Sequence, residues 1–188
     1  MKTICVFGSS SKQIDESYLN HAGQLGAVLA KSGYSVVFGA GKYGVMGAVA
    51  RGVKSQNGEL IGVSPDFFTE LNVLDEDCTE LILTETMRER KAIMEDKSDA
   101  FVVCAGGIGT FEEFFEVITL KQLQRHNKPI IIYNDNGYYD ALLSLMHASV
   151  EQLFMAADVN KLYSVANSVD EVLQQLADYV PFTYSKYQ

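Results

Sequence analysis

Positive charge is scarce in this chain. Fifteen Lys and Arg stand against 24 Asp and Glu among 188 residues, a formal net charge of -9 at pH 7. Nucleic-acid surfaces bind the phosphate backbone through clustered Lys and Arg, so a nucleic-acid partner is not expected and any anionic ligand must be held by local groups. Cysteine is almost as rare: Cys5, Cys78 and Cys104 are odd in number and show no CxxC or Cys/His spacing. That argues against a disulfide framework or a metal site and points to a reducing compartment. Only 3 prolines occur, and no segment has the composition of a disordered tract. Long apolar runs are missing too; none reaches the roughly 18 residues needed to cross a bilayer, and the start "MKTICVFGSSS" has only a short apolar stretch after Lys2. The expectation is a cytoplasmic protein with no membrane attachment.

What is present is an ordinary globular composition, 47% hydrophobic and 21% charged. A chain of this length buries about 70% of its extended surface in one core. One domain over residues 1–180 is expected, with 181–188 as a C-terminal tail. Short β-branched runs ("TICVFG", "YSVVFGAG", "ELIGVSP", "ELILTE", "DAFVVCAGG", "KPIIIYND") alternate with helical patterns over 17–32, 44–56, 86–98, 110–126, from 137 and over 169–180. This alternation predicts an α/β fold, a doubly wound, Rossmann-like parallel sheet with helices on both faces. Gly33 and Gly58 follow two of the helical segments, where a left-handed residue is favoured.

Loops at the carboxyl ends of such strands form one edge, and ligands bind where strand order reverses. Four loops lie there: Gly8 to Ser11, Gly39 to Gly47, Thr86 to Lys91 and Ala105 to Thr110. With the first strand central, the first, third and fourth converge, gathering Gly8, Ser9, Arg88, Arg90, Lys91 and the last glycine run around one crevice.

"GAGKYGVMG" contains GxGxxG between a strand and a helix, the pattern of a dinucleotide site, with Asp66 as a candidate ribose ligand. It follows the second strand rather than the first, and glycines needed only for tight turns and helix packing account for it equally well. A Walker A loop is excluded by Val36 and by Tyr43 after Lys42. In "AGGIGTFEEFF" (105–115) the amides of Gly106, Gly107 and Gly109 can approach an anion, and the following helix adds its positive end. Thr110 and Glu113 also match a capping box, and Glu112 suits a helix start electrostatically. Carboxylates beside an anion nest make sense for a bipolar ligand: phosphate at one end, developing positive charge at a reacting carbon. Cleavage of the ribosyl bond of a nucleoside 5'-monophosphate has that form. The pattern over 110–126 is apolar on more than one side, which suits a subunit interface as well as a sheet contact.

Taken together these segments resemble the LOG-type proteins, cytokinin riboside 5'-monophosphate phosphoribohydrolases formerly labelled lysine decarboxylases. The pattern PGGxGTxxE stands here as "AGGIGTFEE", GGGxxGLMG as "GAGKYGVMG", M-x-x-R-K as "MRERK", and the early glycine-serine turn as "FGSSS". The resemblance implies a homodimeric hydrolase, without metal or cofactor, that releases free base and ribose 5-phosphate from AMP-like nucleotides. It implies Arg90 and Glu113 as the catalytic pair, with Lys91, Gly106, Gly107, Gly109, Thr110, Glu112 and Thr119 lining the nucleotide site. Ala105 replaces the pattern's Pro and Ala40 its Gly, which bears on loop rigidity, and Arg88 stands where plant members commonly carry His. The older decarboxylase label would require pyridoxal phosphate on a lysine and a larger scaffold. Two other classes remain: a nucleotide-binding or carrier protein without turnover on the same fold, and a dinucleotide binder built on "GAGKYG".

Overall fold

The computed structural model describes residues 2–182, so most of the expected tail lies outside the described residues. Seven strands form one all-parallel sheet: β1 (Thr3–Phe7), β2 (Ser35–Phe38), β3 (Leu60–Pro65), β4 (Glu80–Thr84), β5 (Ala100–Val103), β6 (Ile130–Tyr133) and β7 (Ser164–Ala166). Their order is β4-β3-β2-β1-β5-β6-β7. The first strand is central, as the doubly wound reading requires, and the order reverses between β1 and β5. Three-residue β7 is the one strand the sequence pattern does not announce. It pairs Ser164–Ala166 alongside Ile131–Tyr133 and is too short to show alternation.

The helices are α1 (Glu16–Lys31), α2 (Gly44–Ser55), α3 (Met87–Lys97), α4 (Ile108–Gln122), α5 (Asp140–Glu151) and α6 (Val169–Ala177). Successive strand residues point to opposite faces, and two cores result. Ile4, Val6, Val36, Phe38 and Val102 pack under α1, α2 and α6. Cys5, Phe7, Val37, Phe101 and Val103 pack under α3, α4 and α5. Local capping sets the helix starts: the Asp15 carboxylate accepts from Ser17 N at 2.9 Å, and Thr86 and Glu89 form a reciprocal capping box at α3. Gly33 is left-handed at φ 82° as expected, but after α2 that role falls to Asn57 at φ 52°, not to Gly58.

Helices α1 and α2 approach backbone to backbone. A Cβ on Gly26 would stand 2.2 Å from the Val49 carbonyl, and one on Gly52 would stand 2.0 Å from the Gly23 carbonyl. Neither neighbour is a flexible side-chain end, so relief requires the helices to separate. Gly52→Ala tests this. Propensity alone favours Ala inside a helix by about 1 kcal/mol, yet overpacking of this kind costs about 1 to 3 kcal/mol. The variant is expected to unfold at lower urea concentration than the parent; an equal or higher midpoint would show that the helices part at no cost.

Candidate active site

A cavity of about 530 Å³ opens at the carboxyl edge of the sheet. All four strand-end loops reach it, not three: Gly8 to Lys12 after β1, Gly39 to Tyr43 after β2, Met87 and Arg90 at the start of α3, and Gly107 to Glu113 at the start of α4. A fifth wall was not foreseen. Phe68, Leu71, Val73 and Leu74, on and after the 3-10 turn Asp66–Leu71, make one side apolar together with Met46 and Met87. The segment "DFFTELNVL" spaces Phe67, Phe68, Leu71 and Leu74 three or four apart, as a helix does, but it is short and is broken by Asn72, which takes φ 50°.

Arg90 and Glu113 meet at the cavity's inner end with Nη1 and Oε1 3.0 Å apart, and both are 7% exposed. Arg90 Nε also donates to the Val63 carbonyl at 3.2 Å. The guanidinium lies so close over Gly39 that a Cβ there would be 2.0 Å from Nη2. The first glycine of "GAGKYG" is therefore required by an arginine of the protein itself. Burial pushes the Glu113 carboxyl above its ordinary range, and the Arg90 charge opposes that shift without cancelling it.

The other glycine run behaves differently. Nothing lies within 4 Å of a Cβ built on Gly107 or on Gly109, and both face the cavity. Helix α4 begins at Ile108 with Gly107 as its N-cap, and no side chain caps it. The capping box anticipated at Thr110 and Glu113 is absent, because both residues already lie inside the helix and Glu113 is engaged by Arg90. An uncapped helix start keeps free amide donors and the positive end of the helix dipole at the cavity. Thr110, 3% exposed, lines the cavity as well.

Several candidates lie elsewhere. Gly106 is not in the cavity wall; its hydrogen makes room for Thr110, whose Oγ1 would be 2.1 Å from a Cβ there. Lys91 sits outside the cavity between Glu112 and Glu116, paired with Glu112 and 2.6 Å from Glu116 Oε2. Burial works against its charge, but the two carboxylates outweigh that and hold its ammonium above the usual range. Glu112 is thereby turned to the surface with it. Arg88 is exposed and outside the wall. Thr119 lines a separate apolar groove with Phe115, Ile118 and Met146. Gly8 and Ser9 do line the cavity, although Ser9 N is already used by the Ala105 carbonyl at 3.1 Å. Asp66 opens the 3-10 turn, exposed and not in the wall. Among the described residues no three His, Cys, Asp or Glu side chains gather at metal-binding distance.

Comparison with known proteins gives the family and the fold. A family model described as "Possible lysine decarboxylase" matches residues 46–176. The cytokinin riboside 5'-monophosphate phosphoribohydrolase LOG1 of Arabidopsis thaliana is 38% identical over 180 residues, 96% of this chain and 84% of the relative. The chain belongs to the LOG family. LOG of Oryza sativa subsp. japonica is 37% identical over 96% of this chain and 74% of its own. Solved structures share the fold at lower identity. The molybdenum cofactor carrier protein of Chlamydomonas reinhardtii superposes with a TM-score of 0.69 at 21% identity, covering 95% of this chain and 99% of that one. The molybdenum cofactor binding protein of Rippkaea orientalis gives 0.69 at 23%, over 94% and 95%.

Set against the LOG pattern, Ala40 replaces a glycine and takes φ 57°. A left-handed alanine costs about 1 to 2 kcal/mol; here the Ala40 carbonyl is held by Asp75 N at 2.8 Å. The open space at Gly109 gives a test that separates ligand from fold. Gly109→Ala adds a methyl that meets no protein atom, so stability should hold or rise by up to about 1 kcal/mol. Affinity for AMP should fall by about 10-fold, a loss of roughly 1.4 kcal/mol, as the methyl intrudes on the anion. Unchanged affinity by calorimetry would mean that no ligand approaches this backbone.

Proposed function

We propose that this protein hydrolyses the N-glycosidic bond of AMP or of N6-substituted adenosine 5'-monophosphates, releasing the free base and ribose 5-phosphate. The observation that carries the reading is the open, uncapped glycine nest at Gly107 and Gly109 in the same cavity as the buried Arg90–Glu113 pair. A carboxylate beside an anion site is unfavourable for a uniformly anionic ligand and favourable for a ribosyl phosphate whose C1' becomes cationic. Phosphate held by the α4 amides orients the sugar. Breaking the C1'-N bond sends its electron pair to the base, Glu113 stabilises the oxocarbenium-like carbon, and water adds to C1' while the base takes up a proton. Arg90 fixes the carboxylate's orientation and offsets its charge between turnovers. The reading calls on no metal or cofactor, since water is the second reactant. The names of the plant relatives support the substrate class.

Gly8, Ser9 and Thr110 complete the nucleotide pocket in this reading. Lys91, Glu112 and Thr119, implied by the family pattern, would act from the subunit surface. That surface supports a homodimer: Phe115 and Phe154 stand exposed beside the groove that holds Thr119, and Leu145 and Leu153 on and after α5 are exposed too. A cytoplasmic location is part of the same reading; no helix among the described residues is long and apolar enough to cross a membrane.

The deciding experiment is incubation with a panel of nucleoside 5'-monophosphates and the matching nucleosides, following free base and ribose 5-phosphate. Monophosphates should be cleaved far more efficiently than nucleosides, since phosphate binding assists the remote carbon. Tight AMP binding with no base release would establish a carrier instead.

Two further outcomes follow from Glu113. Glu113→Gln keeps an acceptor for Arg90 but removes the charge, so kcat for AMP should fall by on the order of 100-fold or more; a variant that keeps its rate would move catalysis to another carboxylate. Because burial raises the Glu113 carboxyl above 4.5, its ionised fraction declines as pH falls through a value higher than for an ordinary glutamate. The acid limb of kcat/KM should therefore lie above 4.5 and disappear in the Gln variant's residual activity. An acid limb at or below the ordinary value would contradict the assignment.

A further inference from the structure

The glycine nest is held from behind by two tyrosines. The Cys104 carbonyl accepts from Tyr139 Oη at 2.7 Å and the Gly106 carbonyl from Tyr138 Oη at 2.6 Å. Between them the Ala105 carbonyl accepts from Ser9 N at 3.1 Å. Three successive carbonyls are thus tied to donors on other elements. In a planar trans peptide the carbonyl and the next N-H point in opposite directions. Fixing the Gly106 carbonyl on Tyr138 sends the Gly107 N-H away from Tyr138; Gly107 lines the cavity and neither tyrosine does.

The tyrosines are themselves fixed. Tyr139 N donates to Asn134 Oδ1 at 2.7 Å, while Asn134 Nδ2 donates to Asp140 Oδ1 at 2.8 Å. The two rings stand edge to face with centroids 5.0 Å apart, and Tyr18 packs against Tyr138 in the same way at 6.0 Å. Tyr139 is 1% exposed, and burial raises its phenol pKa far above the ordinary value, so it remains a donor throughout the working range.

We propose that Tyr138 and Tyr139 are positioning residues: Tyr138 fixes the peptide that turns the Gly107 amide toward the ligand's phosphate, and Tyr139 fixes the Cys104–Ala105 peptide on which that turn rests. The proposal rests on the nucleotide-binding half of the reading above and not on turnover. A merely structural pair would, on losing a hydroxyl, loosen the fold and weaken every ligand alike. A positioning pair weakens phosphate-bearing ligands selectively.

Tyr138→Phe and Tyr139→Phe each delete one hydrogen bond while keeping the ring. Affinities for AMP, adenosine and inorganic phosphate are measured by calorimetry, with KM and kcat for AMP and the melting temperature in parallel. AMP and phosphate affinity should each fall, and KM rise, by about 5- to 10-fold, the effect of one neutral hydrogen bond. Adenosine affinity and kcat should stay within about twofold. Equal losses for AMP and adenosine, or unchanged phosphate affinity in a folded variant, would overturn the proposal. Should buried Tyr139→Phe fail to fold, Tyr138→Phe, whose side chain is partly exposed, decides alone. If the parent binds AMP but never cleaves it, the hydrolase reading fails while the AMP-to-adenosine comparison still decides the tyrosines' role. A parent that binds no AMP overturns both.

Discussion

A guanidinium and a carboxylate withdrawn from water cost several kcal/mol each before their attraction returns anything. Arg90 and Glu113 meet that cost only because three separate parts of the chain accommodate them: Val63 offers a carbonyl, Gly39 omits a side chain, and α4 starts early enough to bring Glu113 inward. The strand order makes the meeting possible. After edge strand β4 the chain must cross β3, β2 and β1 to lay down β5, and α3 is the crossing segment. Its first turns therefore lie beneath the reversal point, where α4 also begins. The site depends on this one long crossover, and the pair it joins locks α3 against α4.

Much of this was legible. Parallel-sheet alternation survives in the sequence; the central place of β1 does not, since equally apolar runs form β2, β5 and β6 and only the strand order singles one out. The orientation of charged residues was not legible either. Glu112 and Glu113 are adjacent, so a helix turns them about 100° apart and only one can face inward. Which one does so depends on where the helix starts, and the Thr110–Glu113 capping spacing, with Thr110 as N-cap, places the start three residues after the observed N-cap Gly107. Arg90 and Lys91 divide in the same way, one into the cavity and one toward Glu112 and Glu116. Neighbours in sequence carry opposite assignments because the helix, not the motif, decides direction. The short strand β7 escaped because three residues leave no period to read, and the apolar wall after β3 because its helical spacing ends after the six residues Asp66–Leu71.

The two glycine motifs show why matching a pattern is weaker than asking what surrounds it. In "GAGKYG" the protein itself occupies the space: Arg90 at Gly39, Met46 at Gly41, and the Ser9 and Ser11 carbonyls at Gly44, which has φ 60°. Those glycines answer internal packing. In "AGGIG" Gly106 answers Thr110, but Gly107 and Gly109 answer nothing within the chain. The same residue type thus serves closure in one loop and access in the other, a distinction that geometry exposes and spacing hides.

Central placement of the N-terminal strand also orders events during synthesis. Strand β1 finds β2 within the first 38 residues, but its other neighbour, β5, ends at Val103. The closing contacts are reciprocal: Asp99 N donates to the Thr3 carbonyl at 2.7 Å, and the Asp99 carboxylate accepts from Thr3 N at 2.8 Å. Until the ribosome has released that segment, Ile4 to Phe7 present an unpaired apolar edge, the form of surface that recruits foreign strands. Aggregation risk in this protein is therefore greatest for the nascent half-chain, and a stalled or truncated product ending before β5 is the species that most requires a chaperone.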